Sequence, residues 1–119
     1  MAKRVLVVDD SSAVRQSVAY VLDQEGYDVV QADDGTKALE LLEGVDLIIT
    51  DVNMPNMDGI ELTRQIRANA DYKFTPIVVL TTESQGSKMD AGKEAGATGW
   101  IVKPFDKEKL LAVVKRLAG

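Results

Sequence analysis

The chain has 119 residues, of which 19 are acidic and 14 basic, so its formal net charge is −5 at pH 7. It contains no cysteine and no histidine, which excludes disulfides, thiolate nucleophiles, Cys/His zinc sites and every mechanism with a histidine base. Any chemistry must therefore use carboxylates, hydroxyls and lysine. The length predicts a single domain over residues 1–119, with no output domain.

Charge and hydropathy narrow the choice of partners. The first apolar run, Val5–Val8, ends at Asp9 and is too short for a signal peptide or membrane span, so we expect a soluble cytoplasmic protein without a membrane partner. Residues 1–60 hold 12 acidic and 4 basic side chains, whereas residues 61–119 hold 7 and 10. The basic half lacks clustered Arg and Lys with interleaved aromatics, which argues against a nucleic-acid partner.

Five apolar runs rich in valine and isoleucine alternate with segments of helical periodicity. The runs show no polar alternation and predict strands buried on both faces: Arg4–Val8, Tyr27–Ala32, Leu47–Thr50, Ile77–Thr81 and Trp100–Val102. Helical stripes lie between and after them: Val14, Val18, Val21 and Leu22; Ala38, Leu39 and Leu42; Ile60, Thr63 and Ile66; Leu110, Leu111, Val114 and Leu117. The capping pattern places N-caps at Ser12, Asp34, Asp58 and Asp106 and helix-ending glycines at Gly26 and Gly44.

The alternation predicts an α/β fold with a doubly wound, mostly parallel five-stranded sheet, five helices on its two faces and right-handed crossovers. The fourth helix, about residues 85–95, is the least anchored, because its apolar content is Met89 and alanines and it contains Gly92.

Polar residues follow the predicted strands where ligands bind in such sheets. Asp9 and Asp10 end the first strand, Asp51 the third, Thr81 and Thr82 the fourth, and Lys103 the fifth. Singly, each has an ordinary explanation as a cap, a strand end or a solvated side chain. Together, converging carboxylates repel one another and suit Mg²⁺, while a lysine and a hydroxyl beside the metal suit a phosphoryl group.

One aspartate of this set can act as the nucleophile and form an acyl phosphate. The residue types alone do not decide which one attacks. Asp9 and Asp10 form a pair suited to holding metal, which leaves Asp51 as the isolated candidate. The turn-rich stretch after Asp51 either simply connects strand to helix or also brings a backbone carbonyl, such as that of Asn53, onto the ion. Lys103-Pro104 is an ordinary loop dipeptide or a bond, possible in cis, that aims the lysine inward.

Four motifs in order resemble the receiver domains of bacterial response regulators, and the likeness covers essentially the whole chain. They are Val7-Val8-Asp9-Asp10-Ser11, the stretch Asp51-x-Asn53-Met54-Pro55-x-Met57-Asp58-Gly59, Thr81-Thr82 with Gly96-Ala97, and Lys103-Pro104-Phe105. The stand-alone chemotaxis members of the family are the most similar. The resemblance implies the flavodoxin-like strand order 2-1-3-4-5.

The resemblance also implies roles. Asp51 would accept a phosphoryl group from the phosphohistidine of a sensor histidine kinase, with Mg²⁺ held by Asp10, Asp51 and the Asn53 carbonyl and by Asp9 through water. Thr81, Thr82 and Lys103 would contact the phosphoryl group. Movement of Thr81 would let an aromatic residue, here Trp100, turn inward and change the face made by the fourth helix, fifth strand and fifth helix. Asn53 and Glu83 occupy positions that tune dephosphorylation.

Tryptophan at position 100 departs from the family, which has tyrosine or phenylalanine there, and the alternative is a half-exposed side chain that never moves. The expected product is a monomeric phosphoprotein switch, not an enzyme in the ordinary sense, acting in chemotaxis on a flagellar motor switch protein and reset by a phosphatase. Alternatives are a phosphorelay intermediate or the receiver of a longer regulator. An aspartyl-phosphate hydrolase would carry Asp-x-Asp after the first strand, and a flavin carrier a hydroxyl-rich phosphate loop there, and both are disfavoured.

Overall fold

Strands and helices alternate along the chain, as the sequence predicts. The computed structural model describes residues 2–54, 56–82 and 86–118, with the backbone alone for Thr82 and residues 86–89. The elements are β1 (Arg4–Val8), α1 (Ser12–Gln24), β2 (Asp28–Ala32), α2 (Gly35–Leu39), β3 (Leu47–Asp51), α3 (Gly59–Ala68), a 3-10 turn (Ala70–Tyr72), β4 (Ile77–Thr82), α4 (Gly86–Ala95), β5 (Gly99–Lys103) and α5 (Lys107–Ala118). Within these described residues, no helix is long and apolar enough to cross a membrane.

The five strands form one parallel sheet in the order β2-β1-β3-β4-β5, which confirms the predicted flavodoxin-like fold. The pairing register aligns the carboxyl ends of the central strands. Val8 lies opposite Thr50, Asp51 opposite Leu80, and Thr81 opposite Val102. The residues that follow β1, β3, β4 and β5 therefore meet along one edge of the sheet.

Burial of the strands follows their position in the sheet. β1 after Arg4, β3 before Asp51, and β4 as far as Thr81 are buried, as their unbroken apolar runs predict. The same prediction is wrong for β2 and β5, most of whose side chains are half-buried or exposed. These two strands lie at the sheet edges, where helices cover less of each face.

Helices pack on both faces of the sheet. One face carries α1 and α5, which place Val18, Leu22, Leu110 and Val114 against strand residues such as Val7 and Ile49. The opposite face carries α2 and α3, through Ala38, Leu62 and Ile66, against Leu6 and Ile48. A smaller cluster joins Val79 of β4 to α3 and to Ala91 and Ala95 of α4. Met89, the one large apolar residue predicted to anchor α4, lies outside the described side chains.

Local hydrogen bonds define the helix ends and correct two predictions. The N-cap of α1 is Ser11, whose side chain accepts from the Val14 N–H, so the prediction of Ser12 is one residue late. Asp34, Asp58 and Asp106 accept from backbone N–H groups three residues on, as caps do. The second helix ends at Leu39, so Leu42, although buried, lies in a turn beyond it.

The predicted helix-ending glycines behave differently from each other. Gly26 has φ +89° directly after the α1 C-cap, as a left-handed helix end requires. Gly44 also has positive φ, at +77°, but it closes a turn rather than the helix. The capping prediction is therefore confirmed for Gly26 and wrong for Gly44.

Candidate functional site

Three carboxylates converge at the carboxyl edge of the sheet. Asp9 and Asp10 follow β1, and Asp51 is the last residue of β3. One oxygen from each lies within 4.8 Å of the others. Parallel pairing of β1 with β3 brings these carboxylates together, because both strands end at the same edge. The structure thus assembles the acidic cluster that the sequence predicts.

Asp9 is the most constrained of the three. Its side chain is buried, and Oδ1 accepts a hydrogen bond of 2.9 Å from the Ser11 N–H. Among the described residues, Oδ2 has no hydrogen-bond partner and lies 3.6 Å from the Lys103 ammonium. Burial, followed by the charges of Asp51 and Asp10, raises the pKa of Asp9 above its ordinary value, against the lowering effects of the Ser11 N–H and Lys103. Asp9 therefore has one carboxylate oxygen without a hydrogen-bond donor, and Lys103 and the Ser11 N–H offset its negative charge only in part.

Lys103 is the cation of the site. It is the last residue of β5, its Nζ lies 3.0 Å from Asp51 Oδ1, and its side chain is 22% exposed against 15% for Asp51. The peptide bond to Pro104 is cis, the geometry that the sequence left open. Because its Nζ lies within ion-pair distance of Asp51 and Asp9, the Lys103 side chain points into the acidic cluster rather than to solvent.

Thr81 supplies a buried hydroxyl near the end of β4, the strand next to β3. The residue is fully buried at the end of β4, and its Oγ1 has no hydrogen-bond partner within the described part of the chain. A buried hydroxyl without a partner is costly, and such groups often await a ligand. The Thr82 backbone lies opposite Lys103 in the sheet. Glu83 falls outside the described residues.

The two remaining predicted residues lie at the borders of this site. Asn53 is exposed, two residues after Asp51. Trp100 is on β5, opposite Val79, and 36% of the residue is exposed. Its side chain borders a shallow groove with Val102, Ala112 and Val113, on the side of β5 and α5. Trp100 therefore occupies the outward, half-exposed position in this structure.

The structure adds residues that the sequence prediction missed. Arg15 donates a 2.7 Å hydrogen bond to the Asp9 carbonyl and a second bond, from Nε, to Gln31 of β2. The Thr50 hydroxyl donates to the Asp51 carbonyl at 3.0 Å. Arg15 lies one turn after the Ser11 cap, so helical spacing could have indicated that it faces back toward β1. The Thr50 contact had no signal in the sequence.

The donor set fits a divalent cation and a phosphoryl group. Three carboxylates with one unpartnered buried oxygen match the oxygen ligands of Mg²⁺, which keeps several waters and uses one or two carboxylates. An ammonium and an unpartnered hydroxyl beside them match the oxygens of a phosphoryl group. The fold and the site together define a parallel α/β phosphoacceptor domain with an acidic metal pocket.

Comparison with known proteins identifies the family. The model of the response regulator receiver domain matches residues 5–115, and the chain belongs to this family. The structure of chemotaxis protein CheY4 of Vibrio cholerae is similar, with 47% sequence identity, a TM-score of 0.92, and coverage of 98% of this chain and 99% of that chain. Response regulator MprA of Mycobacterium ulcerans is 44% identical over 119 residues, which are 98% of this chain and 50% of MprA.

A third similar protein bears on the metal. The receiver domain of sensor histidine kinase PA1611 from Pseudomonas aeruginosa has 27% identity, a TM-score of 0.92, and coverage of 100% of this chain and 99% of that chain. Its structure holds a magnesium ion coordinated in the active site cleft. The present chain spans about half of the length of most of these curated relatives, and 16% of one of them.

Family membership fixes the general activity. Receiver domains bind Mg²⁺ in an acidic pocket, take a phosphoryl group from sensor histidine kinases, and act as phosphoacceptors rather than as enzymes in the ordinary sense. This chain is therefore a receiver domain of a two-component response regulator. Its fold, as predicted, is that of CheY4.

Proposed function

We propose that Asp51 is the phosphoacceptor of this receiver. The observation that carries the proposal is the pair of cationic and hydroxyl groups around it: the Lys103 ammonium lies 3.0 Å from its Oδ1, and the unpartnered Thr81 hydroxyl is buried at the end of the adjacent strand. Asp9 lies deeper, with 1% of its side chain exposed against 15% for Asp51. An incoming phosphoryl donor thus reaches Asp51 more readily than Asp9.

In the proposed reaction, an Asp51 carboxylate oxygen attacks the phosphorus of a phosphohistidine on the sensor kinase. A bond forms between that oxygen and phosphorus, the P–N bond breaks, and the electron pair and a proton from solvent go to the leaving imidazole. Lys103 pairs with one of the phosphoryl oxygens in place of the Asp51 carboxylate, and the Thr81 hydroxyl donates to another. Thr82 would add a second contact. Each group offsets negative charge on the transferring group.

Asp10, Asp51 and the Asn53 carbonyl are the proposed Mg²⁺ ligands, and Asp9 acts through a water molecule. When bound, Mg²⁺ would offset the charge of the carboxylates and of the transferring phosphoryl group. The unpartnered Asp9 Oδ2 supports this assignment, because a metal-bound water would satisfy it. These residues make the chain itself the catalyst of its phosphorylation and slow dephosphorylation, the latter tuned by Asn53 and Glu83.

The proposed output is a change in partner affinity at the surface made by α4, β5 and α5. Thr81 and Trp100 are its proposed switch residues. Thr81 would move toward the phosphoryl group, and the half-exposed Trp100 would then turn inward, which changes the groove it borders. Among the described side chains of α4, those of residues 90–95, the apolar anchors are Ala91 and Ala95. This supports the proposal, because a helix with few large contacts shifts at low cost.

A chemotaxis role, with a flagellar motor switch protein as target and a phosphatase to reset the signal, is supported by the likeness to CheY4 over 99% of that chain. The chain would then act alone, as a cytoplasmic monomer with one receiver domain over residues 1–119. A second candidate is the receiver of a longer regulator or a phosphorelay intermediate. The match of this chain to half of MprA favours that candidate.

Intact-mass measurement after treatment with phosphoramidate, a small P–N donor, tests the phosphoacceptor proposal. We expect the parent to gain one phosphoryl group with Mg²⁺ and none with a chelator, and Asp51→Asn to gain none in either condition. Asp23→Asn serves as control, because Asp23 is exposed at the end of α1, away from the cluster. Phosphorylation of Asp51→Asn to the parent level would overturn the assignment.

A further inference from the structure

We infer that the first turn of α2 positions the β3–α3 loop for metal binding, with Gly35 as the positioning residue. The β3–α3 loop here means residues 52–54 and 56–58. The inference rests on the proposed function, since that loop contains Asn53, the proposed carbonyl ligand. The juxtaposition of α2 with this loop is not visible in the sequence, where Gly35 and Asn56 are 21 positions apart.

Gly35 lies so close to the loop that position 35 has no room for a side chain. The residue is buried, and a Cβ placed on it would lie 2.9 Å from Met57 Sδ and 3.0 Å from both Met57 Cβ and Cγ. Distances this short require one side to move. Rotation of the methionine side chain would not relieve the contact, because its own Cβ is one of the atoms involved. The backbone at residue 57 therefore sits where it does because position 35 has no side chain.

A second contact ties the same two segments together. Asn56 Nδ2 donates to Asp34 Oδ2 at 3.4 Å, while Asp34 Oδ1 caps α2 by accepting from the Lys37 N–H and the Thr36 hydroxyl. Asn56 has φ +69°, in the left-handed region that asparagine tolerates better than most residues. Asp34 thus bonds its own helix with one oxygen and the loop with the other.

The far side of the loop is fixed by α3. The Gly59 N–H donates to the Val52 carbonyl at 2.9 Å, and a Cβ on Gly59 would collide with the Asp51 carbonyl. The loop is therefore held between two helix starts, α2 on one side and α3 on the other. Because contacts with α2 and α3 restrict the loop on both sides, a displacement of Met57 would also shift the segment that contains Asn53.

Three variants test this inference: Gly35→Ala, Met57→Gly, which removes all three of the close methionine atoms, and the double variant. In Gly35→Ala we expect the amide resonances of residues 52–54 and 56–58 to move in the metal-free protein. We also expect the Mg²⁺ dissociation constant to rise by about 10-fold, as for other outer-shell changes. The double variant removes the opposing side chain and should return both the resonances and most of the affinity. NMR and calorimetric titration give the two readouts.

Gly99→Ala is the matched control, because a Cβ there meets no atom within 4 Å. It should leave the loop resonances and the Mg²⁺ affinity unchanged. A Gly35→Ala protein that is folded and binds Mg²⁺ as the parent does would overturn the inference, as would a double variant without recovery. If the parent itself binds no Mg²⁺, the proposed function fails, while the resonances of the metal-free variants still decide whether Gly35 positions the loop.

Discussion

Replacing Asp9 by asparagine should stabilise the metal-free protein and weaken its response to Mg²⁺. Asparagine keeps the volume of the side chain and the bond from the Ser11 N–H, but it removes a buried charge. The pKa of Asp9 is higher in the folded protein than in the unfolded chain. Protonated Asp9 therefore stabilises the fold at pH values below the unfolded-state pKa. This stabilisation is lost as the pH rises through the folded-state pKa. At a pH above its folded-state pKa, the ionised Asp9 therefore destabilises the fold.

The magnitude follows from competing Coulomb terms. At an effective dielectric constant of about 20, unit charges 4.8 Å apart repel by about 3.5 kcal/mol, whereas the Asp9–Lys103 pair at 3.6 Å attracts by about 4.6 kcal/mol. Asp9 faces both Asp51 and Asp10, and it also carries the cost of burial. Repulsion from the two carboxylates, about 7 kcal/mol together, exceeds the Lys103 attraction by about 2 kcal/mol. The charge-assisted bond from the Ser11 N–H offsets about 1 kcal/mol of this excess, so we expect Asp9→Asn to raise the free energy of unfolding by on the order of 1 kcal/mol in a chelator.

Mg²⁺ should reduce or reverse the difference in free energy of unfolding between Asp9→Asn and the parent. A ligand at 100 times its dissociation constant stabilises a protein by about 2.7 kcal/mol, and a 10-fold weaker site gains about 1.4 kcal/mol at the same concentration. Urea unfolding of the parent, Asp9→Asn and Asp23→Asn, with Mg²⁺ and with a chelator, measures these values. Asp23→Asn should gain as much from Mg²⁺ as the parent. Destabilisation of Asp9→Asn in the chelator, or a gain from Mg²⁺ equal to that of the parent, would refute the reasoning.

Three other substitutions or ligands probe the rest of the site. Thr81→Val replaces a buried, unpartnered hydroxyl by a methyl group, so the free energy of unfolding should stay level or rise by up to about 1 kcal/mol. Phosphorylation by phosphoramidate should become slower. A clear loss of stability in urea unfolding would contradict this account. Lys103→Met removes the cation shared by two carboxylates and should lower the free energy of unfolding in a chelator by about 2 kcal/mol. Mg²⁺ should stabilise this variant more than it stabilises the parent. Calorimetric and urea titrations compare the variant with the parent. In the parent protein, Trp100 fluorescence emission should shift when Mg²⁺ and beryllofluoride are added together, and in Asp51→Asn it should stay constant. If the parent emission stays constant while calorimetry shows binding, Trp100 is not part of the switch.

The fold could be predicted from the sequence because its signals are local. Unbroken valine and isoleucine runs, helical stripes and caps each depend on a few neighbouring residues, and five repetitions of one pattern leave few possible topologies. Two of the errors, at the ends of α1 and α2, lie where local signals compete, whereas the burial of β2 and β5 depends on their place at the sheet edges. Ser11 and Ser12 can each cap a helix, and the stripe that continues to Leu42 does not show that α2 ends at Leu39.

The acidic cluster could also be predicted, because strand ends in a parallel sheet share one edge. The site also depends on contacts between segments distant in the sequence, such as Met57 against Gly35 and Arg15 on Gln31. Periodicity carries no information on these contacts. The unpartnered oxygens of Asp9 and Thr81 are likewise a property of three-dimensional packing, since both residue types usually find partners when buried.

The central claim, that Asp51 receives the phosphoryl group, is tested most directly by locating the acyl phosphate. Borohydride reduces an acyl phosphate on aspartate to homoserine, which tandem mass spectrometry places in the sequence. After treatment with phosphoramidate, the account predicts homoserine at position 51 in the presence of Mg²⁺ and none in a chelator. Homoserine at position 9 or 10, or at position 51 regardless of Mg²⁺, would contradict it.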